Sequence, residues 1–160
     1  MNDIHPDVVL TDRSGFTFWH EDVLRFADLD RQNHVNNVAF ATFCEGGRVR
    51  FIDSIARPLL GPDDLFALVK LTIEYRHEMH FPGAVEVGTR LTKLGRSSVG
   101  FGQGLFNDGR CVATSQAVVV LMSATTRKSK PFPEDVAVEL RKLVNPSPVQ
   151  SRSVSLLIGG

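Results

Sequence analysis

The sequence predicts an α+β fold in which a five-stranded antiparallel sheet wraps around one long central helix. Three observations lead there. The stretch from Val35 to Ala56 is helix-like, and its first half, Val38-Ala39-Phe40-Ala41-Thr42-Phe43-Cys44, is apolar nearly all round, as in an enclosed helix. Downstream, Val69, Leu71, Ile73 and Tyr75 alternate with Lys70, Thr72 and Glu74, a period of two that recurs in the segments that follow. The turns between those segments are short, which requires antiparallel neighbours.

The elements follow in order. Residues 1–14 are mixed and polar and read as a loosely held lead-in. From Gly15 to Phe26, Phe16, Phe18, Val23, Leu24 and Phe26 suit a first strand, with Trp19 as a bulky packing residue. Asp28-Leu29-Asp30-Arg31-Gln32-Asn33 breaks the pattern as a polar loop, and Asn33, Asn36 or Asn37 can cap the helix. Gly46-Gly47, within the helix, costs about 1 kcal/mol per Gly relative to Ala, which close approach of another backbone would offset. Pro58 to Asp64 is a connecting loop, and the strand ending at Tyr75 comes next. A turn at Pro82-Gly83 leads into a strand through Val85, Val87 and Leu91. After Gly95, a further strand sets Val99, Phe101 and Leu105 on one face and Gly100, Gly102 and Gly104 on the other. Asn107-Asp108-Gly109 signals a tight hairpin into the apolar run Val112 to Met122. Pro133-Glu134-Asp135 opens a short helix ending near Leu143. The domain therefore spans 15–144, and the Ser-rich 145–160 reads as a flexible C-terminal tail.

Composition narrows the function. The 160 residues make one domain, with eighteen Lys+Arg balanced by eighteen Asp+Glu. No basic excess points to nucleic acid or an anionic membrane, and no apolar run approaches the ~20 residues of a bilayer span. Cys44 and Cys111 lack CxxC spacing, so neither a disulfide framework nor a structural metal site is expected. Reduced thiols and the absence of a signal-like N-terminus suggest a cytoplasmic protein.

The chemistry concentrates in Arg25 to Asn37, where carboxylates occupy a loop that runs into a helix N-terminus. Free N–H groups and the helix dipole there favour negative charge. Such a place can stabilise an oxyanion on a carbonyl while a nearby carboxylate activates water or attacks directly. From spacing alone, plain capping by Asp and Asn is the commoner use.

Asp28-Leu29-Asp30-Arg31-Gln32-Asn33-His34-Val35-Asn36-Asn37, followed by a helix bearing Phe40, Phe43, Glu45, Arg48 and Phe51, resembles the 4-hydroxybenzoyl-CoA thioesterase-like family of hotdog-fold acyl-CoA thioesterases. Lys93-Leu94-Gly95-Arg96-Ser97-Ser98 is similar to that family's turn between strands, and the likeness covers about residues 16–133. It implies a dimeric hotdog fold hydrolysing an acyl-CoA thioester to free acid and CoA. Asp30 would be the catalytic carboxylate and the Asn37 backbone N–H the carbonyl-polarising donor. Asn33 stands where the family usually has Gly, and Asn tolerates φ > 0 better than other side chains. His34 is a weaker candidate for acid–base work, and Asp28 is more simply a turn acceptor. Glu45 is expected to pair with Arg48. Arg96, Ser97, Ser98, Arg127 and Lys128, with Lys130 in the same basic run, are candidates for CoA phosphates or plain surface polarity. No metal and no cofactor is implied, CoA being part of the substrate. The partners expected are an acyl-CoA and further copies of the chain, as a homodimer or dimer of dimers, because a sheet wrapped once around a helix leaves an edge to bury.

Two other readings compete. One is a non-enzymatic acyl-CoA or acyl-carrier binding protein. The other is a hotdog-fold enoyl-CoA hydratase, whose motif pairs an Asp with a His five residues on, whereas His34 follows Asp30 by four.

Overall fold

Helix α1 (Asn37–Phe51) continues through a π-turn at Ile52–Ala56 and a 3-10 turn at Arg57–Leu59, a rod that fills the concave face of one sheet. The computed structural model describes residues 9–144. The sheet holds β1 (Phe18–Val23), β2 (Asp64–Tyr75), β3 (Ala84–Leu94), β4 (Ser98–Asn107) and β5 (Arg110–Ser123), all neighbours antiparallel, in the order β1-β3-β4-β5-β2. This is the expected hotdog arrangement. A short helix α2 (Glu134–Val144) closes one end through buried Val136, Ala137 and Leu140. The tail at 145–160 and the start of the lead-in lie outside the described residues.

The tight β4–β5 turn follows from its sequence. Asp108 and Gly109 take φ of 50° and 76°, the left-handed pair that a two-residue hairpin matched to strand twist requires. Two expected spans were too long or too regular. The first strand stops at Val23, because Phe26–Asp28 winds into a 3-10 turn. On β2 a bulge between Leu68 and Lys70 breaks the alternation, so that Val69 is more than half exposed while Leu71 and Ile73 turn inward. β2 is also an edge strand, with β5 its one partner among the described residues.

The inner face divides into two apolar clusters. One joins Phe51, Leu91, Phe101, Val119 and Leu121 to α2, and the other joins Phe40, Phe43, Met79, Val85, Val87 and Leu105. Between them runs a polar row. Thr89, Gln103 and Ser115 are in register on the three central strands and are almost completely buried. The Gln103 amide donates to the Cys44 carbonyl of α1 at 2.9 Å and to Thr89 Oγ1 at 3.0 Å, and accepts from Arg48 Nη1 at 3.1 Å.

Part of the outer face of the sheet is covered by the chain itself. Leu10 and Phe16, with Phe106, form a small buried cluster over the glycines of β3 and β4. A Cβ on Gly88 would lie 2.5 Å from Phe16 Cγ, and one on Gly104 2.6 Å from the Leu10 carbonyl oxygen. The end of the lead-in is thus packed rather than loose, and the glycine face admits this chain's own N-terminal segment.

Gly47 is where α1 comes closest to the sheet. An added Cβ would meet Val87 Cγ1 at 2.7 Å, Gln103 Nε2 at 2.8 Å and Thr89 Oγ1 at 2.9 Å, so side chains rather than a backbone make the close approach. At Gly46 the nearest atom is His20 Nε2 at 3.6 Å. Gly47→Ala is therefore expected to destabilise by about 1–3 kcal/mol through overpacking. Gly46→Ala should be neutral or gain up to about 1 kcal/mol of helix propensity. Urea denaturation of the pair checks this, and equal midpoints would contradict it.

Candidate active site

The loop before α1 is built from short polar side chains that satisfy their own backbone. Asp28 Oδ2 accepts from the Arg25 N–H at 2.8 Å, and the Asp28 carbonyl accepts from the Asn36 N–H at 2.7 Å. Asp28 is thus a structural acceptor. Leu29 and Val35 pair as an isolated antiparallel bridge, and residues 30–34 form the turn between them. Within that turn the Asp30 N–H donates to the His34 carbonyl at 2.8 Å. Asp30 Oδ1 accepts from the N–H groups of Gln32 at 2.8 Å and His34 at 3.2 Å. Asn33 takes φ of 64°, the left-handed conformation for which Asn is the best substitute for Gly.

The same chemistry starts the helix. Asn36 Oδ1 caps the Val38 N–H at 2.9 Å. The Asn37 N–H, at the first helical position, makes no hydrogen bond to any described residue. The Asn37 carbonyl accepts from the Tyr75 hydroxyl at 3.0 Å, which ties the first turn to the end of β2.

Asp30, His34 and Asn37 line one open groove of about 810 Å³, together with Phe40, Tyr75, Arg76, Glu78, His80 and Arg110. A carboxylate whose Oδ1 is held by the turn, and a free N–H at a helix N-terminus, thus share one solvent-accessible space. Such an arrangement can activate water beside a carbonyl and receive the negative charge that grows on its oxygen. Arg76 and Arg110 add positive charge. The sequence reading missed the wall between Arg76 and His80, although an Arg-His-Glu-Met-His run directly after a strand is itself a signal. With His34 of the loop, that wall forms the one group of three metal-ligating side chains among the described residues, His34, Glu78 and His80.

The other candidates lie elsewhere. Arg96 and Ser97 form the β3–β4 turn and Ser98 opens β4, and Arg127 and Lys128 lie in a turn after β5. The segments on either side are joined: the Phe132 N–H donates to the Arg96 carbonyl at 2.9 Å, and the Leu121 N–H to the Ser97 carbonyl at 2.7 Å while the Leu121 carbonyl accepts from the Lys130 N–H at 3.0 Å. Lys130 is paired with Asp64. Hydrogen bonds from Ser123 and Thr125 hold the nearby Asp63 carboxyl down to about 2, so it stays ionised and anchors this loop at neutral pH. Both clusters are at the far end of the β4–β5 hairpin from Arg110, which lines the groove. The ten residues of β4 at ~3.3 Å each separate the two ends by about 33 Å. Within one chain the clusters are therefore not brought to Asp30.

Glu45 and Arg48 do not form an ion pair within 4 Å. Glu45 is exposed, whereas Arg48 turns inward to Gln103, and burial pulls its guanidinium pKa down. Both cysteines are free, and burial pushes both thiols up, which keeps them protonated and unreactive near neutral pH. No helix among the described residues is long and apolar enough to cross a membrane.

The family model of the Thioesterase-like superfamily matches residues 24–140. Among solved structures, the chain is similar to a Thermus thermophilus thioesterase complexed with coenzyme A and zinc, at 27% identity and a TM-score of 0.71, covering 83% of this chain and 98% of that one. A Pseudomonas aeruginosa protein superposes with a TM-score of 0.75 at 24% identity, over 84% of this chain and 96% of that one. A DHNA-CoA thioesterase from Staphylococcus aureus gives 0.71 at 20% identity, over 80% and 93%. The last two likenesses bear on the fold. No curated protein matches the sequence.

The capping geometry is testable apart from any activity. Asn36→Ala leaves the Val38 N–H without its acceptor and should cost about 1 kcal/mol. Asp28→Asn keeps an oxygen for the Arg25 N–H and should cost less. Thermal or urea melts of the two variants give the order, and a reversed order would contradict the assignment of the cap.

Proposed function

The chain belongs to the thioesterase-like superfamily, and from that membership we propose that it hydrolyses an acyl-CoA thioester to a free acid and CoA. The observation that carries this reading is the groove shared by the Asp30 carboxylate and the free Asn37 N–H.

In the proposed reaction Asp30 takes a proton from water as the water oxygen bonds to the thioester carbon. The carbonyl oxygen becomes an oxyanion beside the Asn37 N–H, at the positive end of the α1 dipole. The tetrahedral intermediate then collapses, the C–S bond breaks, and the CoA thiolate leaves and takes up the proton. Because the turn hydrogen bonds engage Oδ1, Oδ2 is the oxygen left to face the water.

The proposal includes a second copy of the chain. The β2 edge strand exposes Leu68, Val69 and Tyr75, and α1 exposes Val38 and Val49. A long edge with apolar side chains is a surface that proteins cover. A two-fold pairing through β2 would run the partner's sheet antiparallel. The Arg96–Ser98 and Arg127–Lys128 turns of one copy would then lie toward the Asp30 end of the other. That answers the separation of about 33 Å between the two ends of β4 within one chain.

Two measurements test the reading. With a panel of acyl-CoAs assayed for released thiol, Asp30→Asn should lower kcat by about 10²–10⁴ with KM little altered. Asp28→Asn should lower it far less. Near-normal turnover in folded Asp30→Asn would remove Asp30 from the chemistry. Light scattering at micromolar concentration should give at least twice the chain mass of 17.7 kDa. A monomer mass would overturn the shared site while leaving the chemistry at Asp30 to be judged by the first assay.

A further inference from the structure

We propose that His34, Glu78 and His80 form a binding site for a divalent transition-metal ion of the zinc class on the rim of the groove. Their ligand atoms all lie within 4.8 Å of one another. Glu78 faces both imidazoles, with Oε1 3.4 Å from His34 Nδ1 and Oε2 3.7 Å from His80 Nε2. Ligands bonded at ~2.0–2.2 Å to one tetrahedral ion stand roughly 3.3–3.5 Å apart, so small side-chain rotations bring the three into coordination. Two imidazole nitrogens and one carboxylate suit zinc and its neighbours, whereas magnesium and calcium require oxygen ligands.

Exposed histidines meet carboxylates on many surfaces, but here the backbone under the trio is held. Each ligand-bearing segment is pinned by a buried neighbour. Val35 follows His34, Met79 separates Glu78 from His80, and the Val35 N–H donates to the Met79 carbonyl at 2.9 Å. With Met79 wholly buried in the core, Glu78 and His80 on either side of it project together, away from the core. His34 is further fixed by two hydrogen bonds to Asp30. The imidazoles also meet edge to face, with ring centroids 5.1 Å apart.

The coordination would be open. The side chains of Glu78 and His80 are 62% and 61% exposed and that of His34 31%, so water or an anionic group in the groove can take the remaining positions. The bound ion would cross-link the residues following β2 to the loop that carries Asp30. The ligands were hidden from spacing arguments because His34 lies far from Glu78 and His80 in sequence.

The test uses the full chain without a histidine tag, stripped with chelator, and needs no substrate, so its outcome is separate from that of the thioesterase reading. Calorimetric titration with Zn²⁺ should saturate at one ion per chain and raise the thermal midpoint. His80→Ala and Glu78→Gln, both at exposed positions, should weaken binding by about tenfold or more. His77→Ala, which removes another histidine on the same groove, should leave binding unchanged. Mg²⁺ should not compete. Co²⁺ should give visible d–d bands in the native chain that are lost in His80→Ala. Absence of saturation at submillimolar Zn²⁺, unchanged binding in His80→Ala, or equal losses in His77→Ala would overturn the site. Matched midpoints of the metal-free variants and the native chain establish that a loss is not unfolding.

Discussion

Everything in this molecule is referenced to the depth at which α1 sits on the sheet, and Gln103 sets that depth. Its amide bridges the helix carbonyl of Cys44, the sheet hydroxyl of Thr89 and the guanidinium of Arg48 in a space closed to water. A buried amide left without partners is costly, so the helix cannot slide or rotate without losing both of its hydrogen bonds to Gln103 at once. Apolar packing alone would tolerate neighbouring registers. The missing side chain at Gly47 lets the helix come close enough for these bonds to form.

From that fixed point the geometry of the groove follows. Cys44 is two turns from Asn37, about 10 Å along the axis. Holding one therefore places the free N–H of the other, and Tyr75 secures the first turn from the sheet side. The Asp30 turn is built separately, from its own backbone, and is joined to the helix through Asn36 and to the β2–β3 connection through Val35. The position of the carboxylate thus depends on local hydrogen bonds, and that of the N–H on long-range ones.

The sequence was most legible where one rule acts alone. Alternation of apolar residues located β3, β4 and β5, because their inward faces pack on helices, α1 and α2. Asn-Asp-Gly located the hairpin because few residues accept two consecutive left-handed conformations. Asp30 and Asn37 were legible as neighbours of a helix start, and the structure does bring them into one groove. Legibility failed where two rules compete. Spacing paired Glu45 with Arg48, but an interior amide on β4 holds the guanidinium instead. Alternation set Val69 inward, but the bulge on β2 turns it out. The row of Thr89, Gln103 and Ser115 reads along each strand as an isolated polar exception, and only the register makes it one feature. Contacts remote in sequence, such as His34 with Glu78, leave no periodic trace.

During synthesis the strand order makes this chain wait. The helix is complete at Phe51 with only β1 made before it, whereas β3 and β4, the next strands it packs against, begin at Ala84, and β2 gains its neighbour with β5, which ends at Ser123. Until then Phe40 and Phe43 lack the central strands that cover them, and a twelve-residue strand has both edges unpaired. A nascent chain of this topology is most prone to self-association before β5 has emerged. The burden on cellular chaperones is therefore concentrated on the interval between the translation of β2 and that of β5.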